Sequence, residues 1–97
     1  MFENVINEFR RAKGRGKIIL FGSFGRGRPT FGSDIDIAVI SDDERLIESS
    51  KRIADNILLD YGRVVSILRF GTKEFSRSRE PIVKEIRKGR VLYEGDG

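Results

Sequence analysis

Phe2, Val5, Ile6 and Phe9 recur at helical spacing against Glu3, Asn7, Glu8, Arg10 and Arg11, which predicts an amphipathic helix over Phe2–Lys13. Its acids come early and its bases late, as the helix macrodipole favours, and Gly14-Arg15-Gly16 stops it. Lys17–Phe21 is β-branched, aromatic and too short for a helix, so it reads as a buried strand. From Ser23 to Phe31 there is room for a short helix only, because Pro29 and the surrounding glycines interrupt any longer one. Asp34–Ile40 then alternates carboxylate with apolar residues, the signature of a second strand. Its period of two places Asp34 and Asp36 on one face and Ile35, Ile37 and Val39 on the other.

Ser41 and Glu44 have the spacing of a capping box, opening a helix over about Asp42–Tyr61. Leu46, Ile47, Ile53, Ile57 and Leu58 form its apolar stripe, and Gly62 is placed to close it. Arg63–Phe70 reads as a third strand. Gly71–Arg79 is a polar connection with a turn of helix around Lys73–Phe75. Glu80–Lys88 is a short helix with Pro81 near its start and Gly89 just beyond its end. Arg90–Tyr93 adds an edge strand, leaving Glu94–Gly97 as a frayed tail. The order α-β-(α)-β-α-β-α-β implies an α/β (α+β) fold, with a small sheet of three to four strands, not all necessarily parallel, flanked by helices.

At 97 residues the chain is expected to form one domain, residues 1–97. No apolar run reaches bilayer length and the N-terminus lacks a signal-peptide pattern, so a cytoplasmic protein is expected. The absence of Cys removes disulfides and thiolate chemistry, and the absence of His removes imidazole as base or ligand. Catalysis would therefore run on carboxylates, hydroxyls, Arg, Lys or a metal. The chain has no Gln and only three Asn among many Arg, Lys and Glu, a balance found in thermophilic proteins. A net charge of +4 suits an anionic partner.

Two ionised carboxylates on one strand face, about 6–7 Å apart, repel by something on the order of 2–3 kcal/mol at an effective dielectric near 20. Solvation relieves that repulsion, and so does a shared cation. Mg²⁺ takes one or two carboxylates and fills its other positions with water and phosphate oxygens. Ahead of the pair, Gly22 allows a tight turn at a strand end, and Ser23 offers a hydroxyl and an amide to an anion. A basic Gly-rich turn between two strands would look the same. The loop is neither a Walker A motif nor a dinucleotide fingerprint, since no Gly-Lys-Ser/Thr follows and Gly22, Gly25 and Gly27 have the wrong spacing.

Gly22-Ser23, Gly25-Arg26-Gly27 and Ser33-Asp34-Ile35-Asp36-Ile37 together resemble the minimal nucleotidyltransferases of the DNA polymerase β superfamily, small prokaryotic proteins common in archaea. The resemblance spans nearly the whole chain. It implies a nucleotidyltransferase fold in which Asp34 and Asp36 hold two Mg²⁺ ions and act in catalysis. Gly22, Ser23 and Ser33 would lie against the phosphates of an NTP, with ATP as the expected donor and Arg26 and Arg28 adding positive charge. Phe24 and Phe31 bracket the loop, either anchoring it or stacking on a base.

One position departs from the family. Catalytic members carry a third carboxylate on the next strand, and here the aligned residue is Ser66. A hydroxyl brings no charge, so the second ion would be held more weakly. The expected function is transfer of a nucleoside monophosphate from an NTP to an acceptor. The rival is an impaired nucleotide- or partner-binding module. The resemblance implies a separately encoded HEPN-like helical partner in an antitoxin pair, and homo-oligomers are open. A third reading, a nucleic-acid binder using Arg15, Arg26 and Arg28, rests on charge alone.

Overall fold

The computed structural model describes residues 2–22 and 34–96. Its elements are α1 (Phe2–Arg10), β1 (Arg15–Phe21), β2 (Ile35–Ile40), α2 (Glu44–Tyr61), β3 (Val65–Phe70), α3 (Thr72–Arg77), α4 (Pro81–Arg87) and β4 (Arg90–Asp96). The four strands form one mixed sheet in the order β3-β2-β1-β4. β1 runs antiparallel to both β2 and β4, whereas β2 and β3 are parallel. A parallel pair needs a long crossover, and the 18 residues of α2 provide it.

Strand alternation divides the apolar residues between the two faces of the sheet. Ile18 and Leu20 of β1 join Ile35, Ile37 and Val39 of β2 beneath α1 and α2. On α1 the contacts come from Val5, Ile6 and Phe9, and on α2 from Leu46, Ile47, Ile53 and Ile57. The opposite face carries Ile19, Phe21, Ala38 and Ile40, against which Ile86 of α4 and the rings of Phe70 and Phe75 pack. By its period of two, Asp36 belongs to this second face, the one that α3 and α4 cover only in part. The expected α/β architecture is therefore present, with helices on both sides of a sheet.

Several expected boundaries shift, each for a local reason. α1 stops at Arg10 rather than Lys13, because the amides of Arg11 and Ala12 turn to carbonyls three residues back, Glu8 and Phe9. The third strand begins at Val65, not Arg63. The turn expected around Lys73–Phe75 is a helix of six residues, with the Glu74 carboxylate accepting from the Gly71 amide at 3.0 Å. Glu94–Asp96 is no frayed tail: Lys17 pairs with Glu94 and Arg15 with Asp96 across β1 and β4. Tyr93 ties that strand down by donating its hydroxyl to the Gly14 carbonyl at 2.6 Å. Gly62 closes α2 as expected, at φ 66° with its amide on the Leu58 carbonyl.

The capping box expected from Ser41 and Glu44 does not form. Asp43 is the N-cap of α2, and its Oδ1 accepts from the Arg45 amide at 2.9 Å. Its Oδ2 accepts from the Arg15 amide, also at 2.9 Å, stitching the helix start to β1. Buried Ser41 is already committed, donating to the Arg15 carbonyl and accepting from the Asp43 amide. The amides of Arg15 and then Arg45 hold the Asp43 carboxyl below the usual carboxylate range. A lowered folded-state pKa contributes stability above the ordinary value and loses it as pH falls through the lowered one. Asp43→Ala should accordingly lower Tm by a few degrees at pH 7, with the difference from wild type shrinking in strong acid. Thermal melts across the acid range would check both.

Candidate active site

β1 and β2 lie side by side with Phe21 opposite Asp36, so the end of one strand meets the start of the other. Asp34 sits just before β2 and is exposed, and Asp36, two residues on, is half-buried. The chain leaves β1 at Gly22 with φ 72°, a backbone conformation that a side chain disfavours. A Cβ placed on Gly22 would stand 2.5 Å from Asp36 Oδ2. Glycine is thus favoured there by the turn, and any side chain would press on the Asp36 carboxylate.

Ser66 is the parallel register partner of Asp36. Register partners in a sheet share a face, so Ser66 projects on the same side as Asp36, one strand further out, and it is exposed. Ser66 is the residue that the family resemblance assigns to the third-carboxylate position. Partial burial first, and the charge of Asp34 second, push the Asp36 carboxyl above its ordinary value.

These features suit a hard divalent cation. Two carboxylates that repel each other would be relieved by it, and the absence of a side chain on Gly22 lets Asp36 Oδ2 lie close against the turn. Among the described residues no group of three or more acids is placed to hold a metal ion, so the pair stands without a third carboxylate. Ser23, Arg26, Arg28 and Ser33, expected at the phosphates, lie outside the described residues, as do Phe24, Phe31 and the short helix expected over Ser23–Phe31. A cavity of about 600 Å³ opens on the same sheet face as Asp36 but at the Arg15–Lys17 end of β1, where Ile40, Phe75 and Val91 line it. Sequence reasoning overlooked Asp43 as a cap, although an acid one residue ahead of an apolar period is itself a cap signal.

A family model described as nucleotidyltransferase domain matches residues 2–93. "Putative protein adenylyltransferase MJ0604" of Methanocaldococcus jannaschii is 35% identical, over 94% of this chain and 97% of its own length. Among solved structures, a toxin–antitoxin crystallised with AMP-PNP superposes with a TM-score of 0.62 at 21% identity, covering 97% of this chain and 73% of that one. A mutant of the toxin–antitoxin MntA–HpeT superposes with a TM-score of 0.60 at 18% identity, covering 98% and 74%. At those identities the structures show a shared fold. Among the described residues no helix is long and apolar enough to cross a membrane.

Proposed function

The chain belongs to the nucleotidyltransferase domain family, and from that premise we propose that it transfers a nucleoside monophosphate from ATP to an acceptor at the Asp34–Asp36 pair. The observation that carries this reading is the acid pair set against Gly22, a turn whose bare backbone lies close against a carboxylate oxygen of Asp36. In the transfer, an acceptor oxygen attacks the α-phosphorus of ATP, the bond to the β-phosphate breaks and pyrophosphate leaves. Mg²⁺ bound by Asp34 and Asp36 would neutralise charge on the phosphates. Asp36, half-buried and fixed by its strand, sets the depth of the site, and exposed Asp34 closes its outer side. The Gly22 backbone admits the phosphates, while Ser23, Ser33, Arg26 and Arg28 are assigned to them by family resemblance.

Among the described residues no third carboxylate stands by to receive the acceptor's proton. By the family resemblance Ser66 takes the place of the carboxylate that would receive it, and an alcohol is too weak a base. The acceptor or a partner protein is therefore proposed to supply that function. The "putative protein adenylyltransferase" name of the archaeal relative supports a protein acceptor, and the toxin–antitoxin neighbours support a separate partner protein, for which the family resemblance suggests a HEPN-like fold. Release of pyrophosphate from ATP, in proportion to AMP attached to such a partner, is the expected result with Mg²⁺. Release of orthophosphate instead, or no attachment to any acceptor, would overturn the reading.

Ser66 also favours a second reading, a nucleotide-binding module that has lost turnover. The substitution Ser66→Asp separates the two. If the chain is an enzyme limited by its missing acid, the variant should release pyrophosphate at least about tenfold faster, the lower range of a general-base contribution. If MgATP binds tightly to both forms and neither releases pyrophosphate with the partner present, the binding module is the better account.

A further inference from the structure

The charge of this chain is unevenly placed. Residues 73–90 hold seven Lys and Arg against three Glu, which is the whole net charge of +4; elsewhere twelve basic residues balance twelve acidic ones. Within that segment Lys73, Arg77, Arg79, Lys84, Lys88 and Arg90 are all exposed, and none of the six is in an ion pair among the described residues. Cations elsewhere do find acids: Lys17 meets Glu94, Arg45 Asp43, Lys51 Glu48 and Arg69 Glu44. The segment comprises α3, α4 and the start of β4, and through Phe75 and Ile86 it packs on the sheet face that carries Asp36.

We propose that residues 73–90 form the docking surface for an acidic protein, holding it on the same face as the acid pair. A field of one sign raises the encounter rate and orients an oppositely charged partner. Two features favour a protein over a nucleic acid. Ile82 is exposed amid the charges, offering an apolar contact that phosphates cannot use. The segment's aromatic ring is also no stacking platform, since Phe75 lies edge-on to Phe70 with the Arg87 guanidinium over its face. Arg87 is further fixed by donating to the Phe75 carbonyl at 2.9 Å, so it shapes the surface more than it reaches outward. That the docked protein is the acceptor rests on the transfer reading above; that it docks here does not.

The test is an NMR titration of the ¹⁵N-labelled full chain with poly-L-glutamate, and in parallel with single-stranded RNA of matched charge. Shifts confined to residues 73–90, stronger with polyglutamate and abolished near 1 M salt, where the screening length is about 3 Å, are expected. In Arg77→Glu/Lys84→Glu/Lys88→Glu, whose fold the same spectrum reports, polyglutamate affinity should fall roughly tenfold or more. Shifts spread over other basic sites, an unchanged affinity in the triple variant, or RNA binding as tight at these residues would each overturn the proposal. MgATP added to the triple variant should still perturb Gly22 and Asp36. Loss of the ATP response in wild type alongside intact polyglutamate binding would overturn the transfer reading and leave the docking surface standing.

Discussion

Replacing Asp36 by Asn should lower nucleotidyl transfer by roughly 10³-fold, while making the metal-free protein more resistant to heat near neutral pH. The first effect follows from removing one of the two carboxylates proposed to hold the cation. The second follows from the direction of the Asp36 shift. Burial and the Asp34 charge raise its folded-state pKa, so the folded state prefers the neutral carboxyl. Below the ordinary carboxylate value both states are protonated and the side chain costs nothing. As pH rises through the raised value, ionisation destabilises the fold, and the amide escapes that loss. Thermal melts in EDTA at pH 4 and pH 7.5 should show the variant gaining on wild type at the higher pH. Added Mg²⁺ should narrow the gap by stabilising wild type alone. A variant less stable than wild type at both values would mean that Asp36 serves the fold, and that its placement says nothing of function.

Gly22→Ala should weaken MgATP binding by at least about tenfold and cost about 1–2 kcal/mol of stability. The stability loss comes from a φ of 72°, which an alanine adopts only with strain. The binding loss has a separate origin. The new methyl group would stand 2.5 Å from Asp36 Oδ2, and the carboxylate is the end of a side chain that can rotate away. Steric relief is therefore cheap for the fold and expensive for the site, because the carboxylate that swings aside is the one proposed to hold the cation. Calorimetric titration with MgATP, alongside a melt, separates the two effects. If stability falls and MgATP affinity does not, the contact between Gly22 and Asp36 has no part in nucleotide binding.

Much of this was open to reading in the chain itself, for identifiable reasons. A period of two is a strong constraint when one face is packed, and it separated Asp34 and Asp36 from Ile35, Ile37 and Val39 without reference to any partner strand. Ser66 is singled out only through the family resemblance, and the parallel register pairs it with Asp36. The helix start at Asp43 was harder. Ser41 and Asp43 are both good caps on composition, and only the burial of Ser41 against the Arg15 carbonyl decides between them. The fate of Glu94–Asp96 was likewise tertiary, since nothing in those residues announces that Arg15 and Lys17 lie opposite. The basic residues of 73–90 are plain in the sequence, but a charge run becomes a surface with a direction only when the sheet face beneath it is known.

Incubation with a partner protein and Mg²⁺, using ATP labelled once at the α-phosphate and once at the γ-phosphate, bears most directly on what this chain does. Transfer at the Asp34–Asp36 pair predicts that α-label becomes covalently attached to the acceptor, that γ-label appears only in pyrophosphate, and that Asp34→Asn/Asp36→Asn abolishes the attachment. Attachment of the γ-label, or α-label attachment that survives in the double variant, would contradict it.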